Sequence, residues 1–159
     1  LAVLAFVAVI LFVTRRHDAA APSPLVAEAV NDHLRLLYAD RPLEIESGGI
    51  HQVKPWFAGR VDFAPAVAFE GDADFPLQGG SVAYYIDRKA AAFVYKHKLH
   101  VVTLLVFRAE GLPWGRADEV TTSSRGFHVI LWRAGDLGYA LVSDSEDLAA
   151  LEQRIKAAR

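Results

Sequence analysis

The chain has 159 residues, of which 53% are hydrophobic and 23% charged, with a formal net charge of −2. This excludes a disordered tail and a globally basic nucleic-acid binder, and leaves room for one core-forming domain with an appendage. Cysteine and methionine are both absent, which removes disulfides, thiol nucleophiles, cysteine metal sites and sulfur oxidation within this segment. With no Met at position 1, a fragment or a processed form is expected.

The chain begins LAVLAFVAVILFV, without a polar side chain. Thirteen residues of helix reach roughly 20 Å, short of the ~30 Å hydrocarbon layer. No basic n-region precedes them, so residues 1–14 are expected to be a truncated transmembrane helix rather than a complete signal peptide, with a buried core helix as the alternative. Arg15 and Arg16 favour a cytoplasmic flank by the positive-inside tendency. Residues 15–24 are read as a small-residue linker. Ser23 can cap a helix with Pro24 in its first turn. Val26, Val30, His33 and Leu37 then share a face, with Glu28, Asp32 and Arg35 directed elsewhere. This helix is expected to end near Asp40, and His33 is read as a packing residue.

HQVKPWFAGRVDFAP, residues 51–65, neither alternates nor repeats. Pro55 restricts Lys54 to extended backbone, Gly59 permits a turn, and residues 60–63 resume extended structure. Trp56 or Phe57 should pack on a sheet, leaving Lys54, Arg60 and Asp62 at the surface. This predicts a packed connecting corner. Gly79-Gly80 has no Walker-loop context and reads as a tight backbone passage before a strand. SVAYYIDRK places Val82, Tyr84 and Ile86 on one face and turns at Asp87-Arg88-Lys89. Strands follow over about 90–96 and 99–107, joined at Lys96-His97-Lys98. Two more span about 126–133 and 138–143, around Ala134-Gly135-Asp136. Short turns make these hairpins antiparallel. VTTSSRG is read as a polar loop. The last segment predicts a helix with a Leu148, Leu151, Ile155 stripe, a Glu152–Lys156 pair, and Ser143–Glu146 or Ser145 as cap. The expected fold is α+β: an antiparallel sheet of about five to six strands, with an N-terminal and a C-terminal helix packed on it, over residues 25–159.

Catalytic and metal signals are weak. His97 and His100 would face opposite ways on a single strand, and lysines flank His97, so no metal site is assigned. The other histidines show no ligand spacing. Ser123, Ser124 and Ser143 lack a GxSxG context. Asp144, Glu146 and Asp147 suit a helix start better than a cation site. Lys54, Arg60, Arg88, Lys96 and Lys98 could converge into a basic patch. No cofactor is expected.

The string VKPWFAGRVDFAP, followed by FPLQGG, resembles the extracytoplasmic domain of transmembrane anti-sigma factors. The order of further matches agrees: Tyr84-Tyr85, Arg88 before AAAFVY, a basic turn into His100-Val101-Val102, then GFHVILWRAGDLGYALVSD with Trp132, Tyr139, Val142, Ser143 and Asp144. The resemblance covers roughly residues 1–152. Ser81 stands where an arginine commonly follows the two glycines, and Leu105-Val106-Phe107 replaces a more tryptophan-rich strand end. Against the Arg15-Arg16 cue, the resemblance implies a periplasmic sensor domain on a single-pass inner-membrane anchor, whose state is relayed to a sigma factor held by a cytoplasmic segment not included in this sequence. It further implies regulation rather than catalysis, with a periplasmic protein or protease as partner and no nucleic acid. Lys54, Pro55, Trp56, Phe57, Gly59, Arg60, Asp62 and Phe63 become the candidate partner-binding or structural motif. The competing expectations are a membrane-anchored protein that binds a small molecule or metal, and an anchored hydrolase.

Overall fold

A computed structural model describes residues 23–158. The expected membrane helix and most of the linker lie outside the described residues. Among the described residues, no helix is long and apolar enough to cross a membrane.

Helix α1 (Pro24–Leu37) leads to strand β1 (Ile45–Glu46) and helix α2 (Ile50–Trp56). Strands β2 (Leu77–Tyr85), β3 (Arg88–His97), β4 (His100–Arg108), β5 (Glu119–Ser124), β6 (Phe127–Ala134) and β7 (Leu137–Ser143) follow, before helix α3 (Leu148–Ala157). The seven strands form one sheet in the order β1-β2-β3-β4-β7-β6-β5, and every adjacent pair is antiparallel. The α+β class is therefore as expected, with seven strands in place of five to six.

Two meanders, β2-β3-β4 and β5-β6-β7, meet where β4 pairs with β7. Residues 109–118 carry the chain from β4 to the far edge. Each of the four hairpins closes with two residues, and the first has positive φ in every case: Ile86 (59°), Lys98 (56°), Arg125 (52°) and Gly135 (62°). Positive φ at this position matches the twist of the flanking strands.

This geometry shifts two expected turns. Tyr85 pairs with Arg88, so the first turn is Ile86-Asp87, and Arg88 and Lys89 already belong to β3. His97 pairs with His100, so the second turn is Lys98-Leu99. VTTSSRG is strand, not loop: Thr121 to Ser124 pair with β6, and Arg125-Gly126 turns the chain with positive φ at both residues. An edge strand with one solvated face needs little apolar content, so its polarity hid it.

The central strands are buried on both faces. Ala91, Phe93, Tyr95, Val102, Leu104 and Val106 face one core beneath α2 and α3, whereas Ala92, Val94, Leu105 and Phe107 face a second core beneath α1. The two terminal helices thus cover opposite faces. Burial on both sides explains the nearly unbroken apolar runs of β3 and β4. Ser23 accepts from Val26 N at 3.3 Å and caps α1 as expected, but α1 ends at Leu37. Helix α3 is not capped by Ser143 or Ser145; its N-cap is Asp147, while Ser143 Oγ donates to Val101 O at 2.8 Å. Lys156 and Glu152 pair at 2.6 Å.

His33 packs as expected. Its Nδ1 lies 2.8 Å from Thr103 Oγ1, and its ring meets the edge of Phe127 at 5.0 Å. Asp32, expected on the outer face, is instead buried at 4% exposure, with Arg35 as its partner. Burial disfavours the charged form of both groups. It pushes the His33 imidazole down to about 4 and the Asp32 carboxyl up to about 6. Neutral His33 therefore contributes stability above pH 6.5 that is lost as pH falls towards 4. For Asp32 the sign is reversed: its contribution is fully present below about pH 3.8 and is lost as pH rises through 6. Asp32→Asn should accordingly be more stable than the parent at pH 7.5, by about 1–3 kcal/mol. The advantage should shrink to nothing near pH 4, as read from urea midpoints at matched pH. A constant difference across that range would contradict this origin.

Candidate functional site

The corner between β1 and β2 carries all eight motif residues, and its local structure differs from the sequence expectation. Residues 50–56 are helical, so Lys54 and Pro55 lie within α2 rather than in extended chain. Pro55 forfeits one hydrogen bond in a helix of barely two turns. Tight bonds from Phe57 N to Lys54 O (3.2 Å) and from Ala58 N to Pro55 O (3.0 Å) then close its end. Gly59 makes the turn at φ 73°, as expected, but Arg60 continues that turn, Val61 forms an isolated bridge and residues 62–63 bend, instead of resuming extended strand.

Packing holds this short helix. Phe57 is fully buried, with its ring 5.0 Å from Phe93 and 5.2 Å from Trp56. Beneath it lies Gly80. A Cβ placed there would sit 3.0 Å from Phe57 Cζ, 3.1 Å from Val53 Cγ1 and 2.8 Å from Ala92 O. A Cβ at Gly79, whose φ is 151°, would stand 2.0 Å from Ile45 O. The glycine pair is the tight passage expected, but it lies within β2 rather than before a strand. It lets β1 and α2 approach the sheet to backbone contact.

The polar residues of the motif remain at the surface. Arg60 stacks on Trp56 at 4.3 Å and donates to Trp56 O at 2.7 Å. Asp62 is pinned by Arg108, whose Nε and second guanidinium nitrogen reach Asp62 Oδ2 (3.2 Å) and Asp62 O (2.7 Å). Lys89 Nζ donates to Arg60 O at 3.0 Å. Between α2 and the following loop runs a groove of about 670 Å³ lined by Lys54, Pro55, Val61, Asp62 and Phe63. Two smaller depressions adjoin it along Ala66, Val67 and Ala68, and Lys54 borders all three. The loop floor is tied down by Tyr95 Oη to Phe69 O (3.1 Å) and Tyr139 Oη to Ala66 O (3.3 Å). This is a largely apolar surface with one exposed ammonium and one carboxylate, suited to recognition.

The remaining candidates resolve into local pairs. His97 and His100 stand opposite each other on neighbouring strands, rather than on one, and each takes a different aspartate: His97 Nε2–Asp147 Oδ2 and His100 Nδ1–Asp144 Oδ1, both 2.9 Å. Among the described residues no group of three or more His, Cys, Asp or Glu could hold a metal. Both ring nitrogens of His97 face acceptors, since Nδ1 also lies 2.9 Å from Asp74 O. The 72–75 loop is fastened further by Arg154 to Asp72 (2.7 Å) and to Asp74 (2.8 Å). Ser123 Oγ lies 3.2 Å from His128 Nδ1 at the exposed sheet edge. Of the supposed basic patch, Arg88 bonds the carbonyls of Arg108 and Glu110, and Lys98 pairs with Asp147, so its charges are dispersed. Sequence reasoning missed Lys89 and Arg108, whose partners lie 29 and 46 residues away.

The Phe57–Gly80 contact sets an expectation for substitutions. Phe57→Ala should destabilise by about 3–5 kcal/mol and Gly80→Ala by about 1–3 kcal/mol. Their combination should cost less than the sum, because removing the ring relieves part of the Gly80 clash. Arg60→Ala, on an exposed stack, should change stability by less than about 1 kcal/mol. Denaturant titration of the four variants checks all of this, and strict additivity would refute the contact. No protein-family model, no curated protein and no solved structure matches the chain.

Proposed function

We propose that the chain is the extracytoplasmic sensing domain of a membrane-anchored regulator, an anti-sigma factor, which relays a periplasmic stimulus to an alternative sigma factor. One observation carries this reading. The two strings on which the resemblance rests, VKPWFAGRVDFAP and FPLQGG, form a single packing unit, with Val53 and Phe57 seated on Gly80. A motif pair that packs together belongs to one structural device. The apolar run at residues 1–13 supports a tether, and the surface bearing Lys54, Arg60 and Asp62 supports contact with a partner or protease.

On this reading the domain lies in the periplasm, on a single inner-membrane helix. A stimulus acts by stabilising one arrangement of the corner over another, because a ligand shifts an equilibrium only by its differential affinity. The sigma factor is bound elsewhere in the natural protein, and the domain itself carries out no turnover.

The test uses the full-length natural protein in its bacterial host. A C-terminal alkaline phosphatase fusion should be active, as a periplasmic location demands. The affinity-purified protein should retain a sigma subunit, and Phe57→Ala should alter transcription from the cognate promoter at least about threefold. An inactive fusion with an active cytoplasmic reporter at the same site, or purification without any sigma subunit, would sink the proposal.

A further inference from the structure

A second groove, of about 530 Å³, lies on the opposite side of the sheet from the corner, between α1 and the edge of β2. β1 covers β2 only at Gly79 and Gly80. Beyond that point Val82 and Tyr84 turn their backbone groups outward, as alternation in an antiparallel ladder requires. Glu44 Oε2 accepts from Val82 N at 2.6 Å, so a carboxylate occupies part of the place a neighbouring strand would take. Apolar wall is supplied by Leu36, Ala83 and Leu105. Tyr84, 65% exposed, and Ile86, at positive φ, stand at the mouth.

Asp32 lines this groove with a side chain only 3% exposed. Its Oδ1 takes Arg35, while Oδ2 is buried with no hydrogen-bond partner among the described residues. Arg35 is shared, because it also pairs with Glu28 at 2.8 Å. A buried carboxylate oxygen without a donor is costly, and native structures rarely retain one without a reason. Charge points the same way. Three carboxylates, Glu28, Asp32 and Glu44, line the groove against two guanidiniums, Arg35 and Arg41. One added cation balances them.

We propose that this groove binds a small molecule bearing a primary ammonium or guanidinium group, which donates to Asp32 Oδ2 while its hydrocarbon portion lies along Leu36, Ala83 and Leu105. A compact cation on a short apolar stem matches both the missing donor and the apolar wall. The inference goes beyond the regulatory reading and stands without it, since it rests on the α1–β2 groove alone.

The experiment uses the full chain in a non-ionic detergent, with agmatine and n-butylamine as probes and n-butanol as the uncharged control. Calorimetry and thermal melting are read at pH 7.5 and low salt. Both amines should bind and raise Tm by about 2–4 °C at saturation, whereas butanol should not. Asp32→Asn should weaken amine binding at least about tenfold while keeping the parent circular dichroism. Ser81→Phe, which fills the groove from the β2 side without touching the carboxylate, should block binding as well. Absence of any amine-dependent shift up to about 1,000 times the protein concentration would overturn the proposal. So would equal binding to the parent and Asp32→Asn, or undiminished binding to Ser81→Phe.

Discussion

The fold depends on how closely the β1–α2 segment approaches the first long strand of the sheet. Gly79 and Gly80 present bare backbone where any Cβ would meet Ile45 O, Ala92 O or the Phe57 ring. Because the gap is closed, β1 can hydrogen-bond to β2 and α2 can seat Val53 and Phe57 against β3. The long connection from residue 57 to residue 76 then has a fixed starting point. Its carbonyls are captured by Tyr95, Tyr139, Lys89 and His97, all projecting from the sheet. A loop of this length without regular structure stays ordered only when its backbone groups find such partners.

The same approach accounts for the asymmetry between the two faces. On the α2 side the sheet is covered by a short helix, a loop and α3, a patchwork that leaves apolar depressions around Lys54. On the other side α1 lies across the sheet as one amphipathic rod, with Leu25, Val26, Ala29 and Val30 buried. Rods pack without such seams except where their polar residues interrupt the contact. Asp32 and His33 are that interruption: burial disfavours the charge on each, and Asp32 keeps one carboxylate oxygen without a partner among the described residues.

Much of this architecture is legible in the residues, for identifiable reasons. The hairpin strands announce themselves because both faces are buried and their apolar runs end at two-residue turns. The terminal helices are legible through their spacing, and the glycine pair through the absence of any other role. What stays hidden depends on distant partners. β1 is two residues long and exists only because Gly79 and Gly80 accept it. β5 is polar because it is an edge. Helix α2 overrides the local preference of the residue before Pro55, since Val53 and Phe57 gain more from burial than Lys54 loses in backbone preference. The surface of the corner was legible as to which residues it contains. Its conformation and its clamps, Arg108 and Lys89, were not, because nothing local marks a residue whose partner comes tens of positions away. Asp32 was misplaced for a related reason: helical spacing assigns a face, but only the sheet decides how wide the covered stripe becomes.

These constraints also bear on how such a domain can relay anything. The chain preceding Pro24 enters through α1, which is held to the sheet by its apolar stripe, by Tyr85 Oη donating to Leu25 O at 2.6 Å, and by Arg125 donating to Asn31 Oδ1 at 2.7 Å. The motif corner sits on the opposite face. A perturbation at Phe57 reaches α1 through the sheet, whose residues alternate between the two cores: in β3, Phe93 lies in the core under the corner, and Ala92 and Val94 in the core on the helix side. Strands packed on both sides move as units, since close-packed interiors are not continuously deformable. Under the proposed sensing role, the relay would be a small displacement of β2 and the strands beside it, changing the seat of Phe57 and the bed of α1 together. The α1–β2 groove opens beside that same strand, so a cation bound there, as proposed, would be placed to influence the corner.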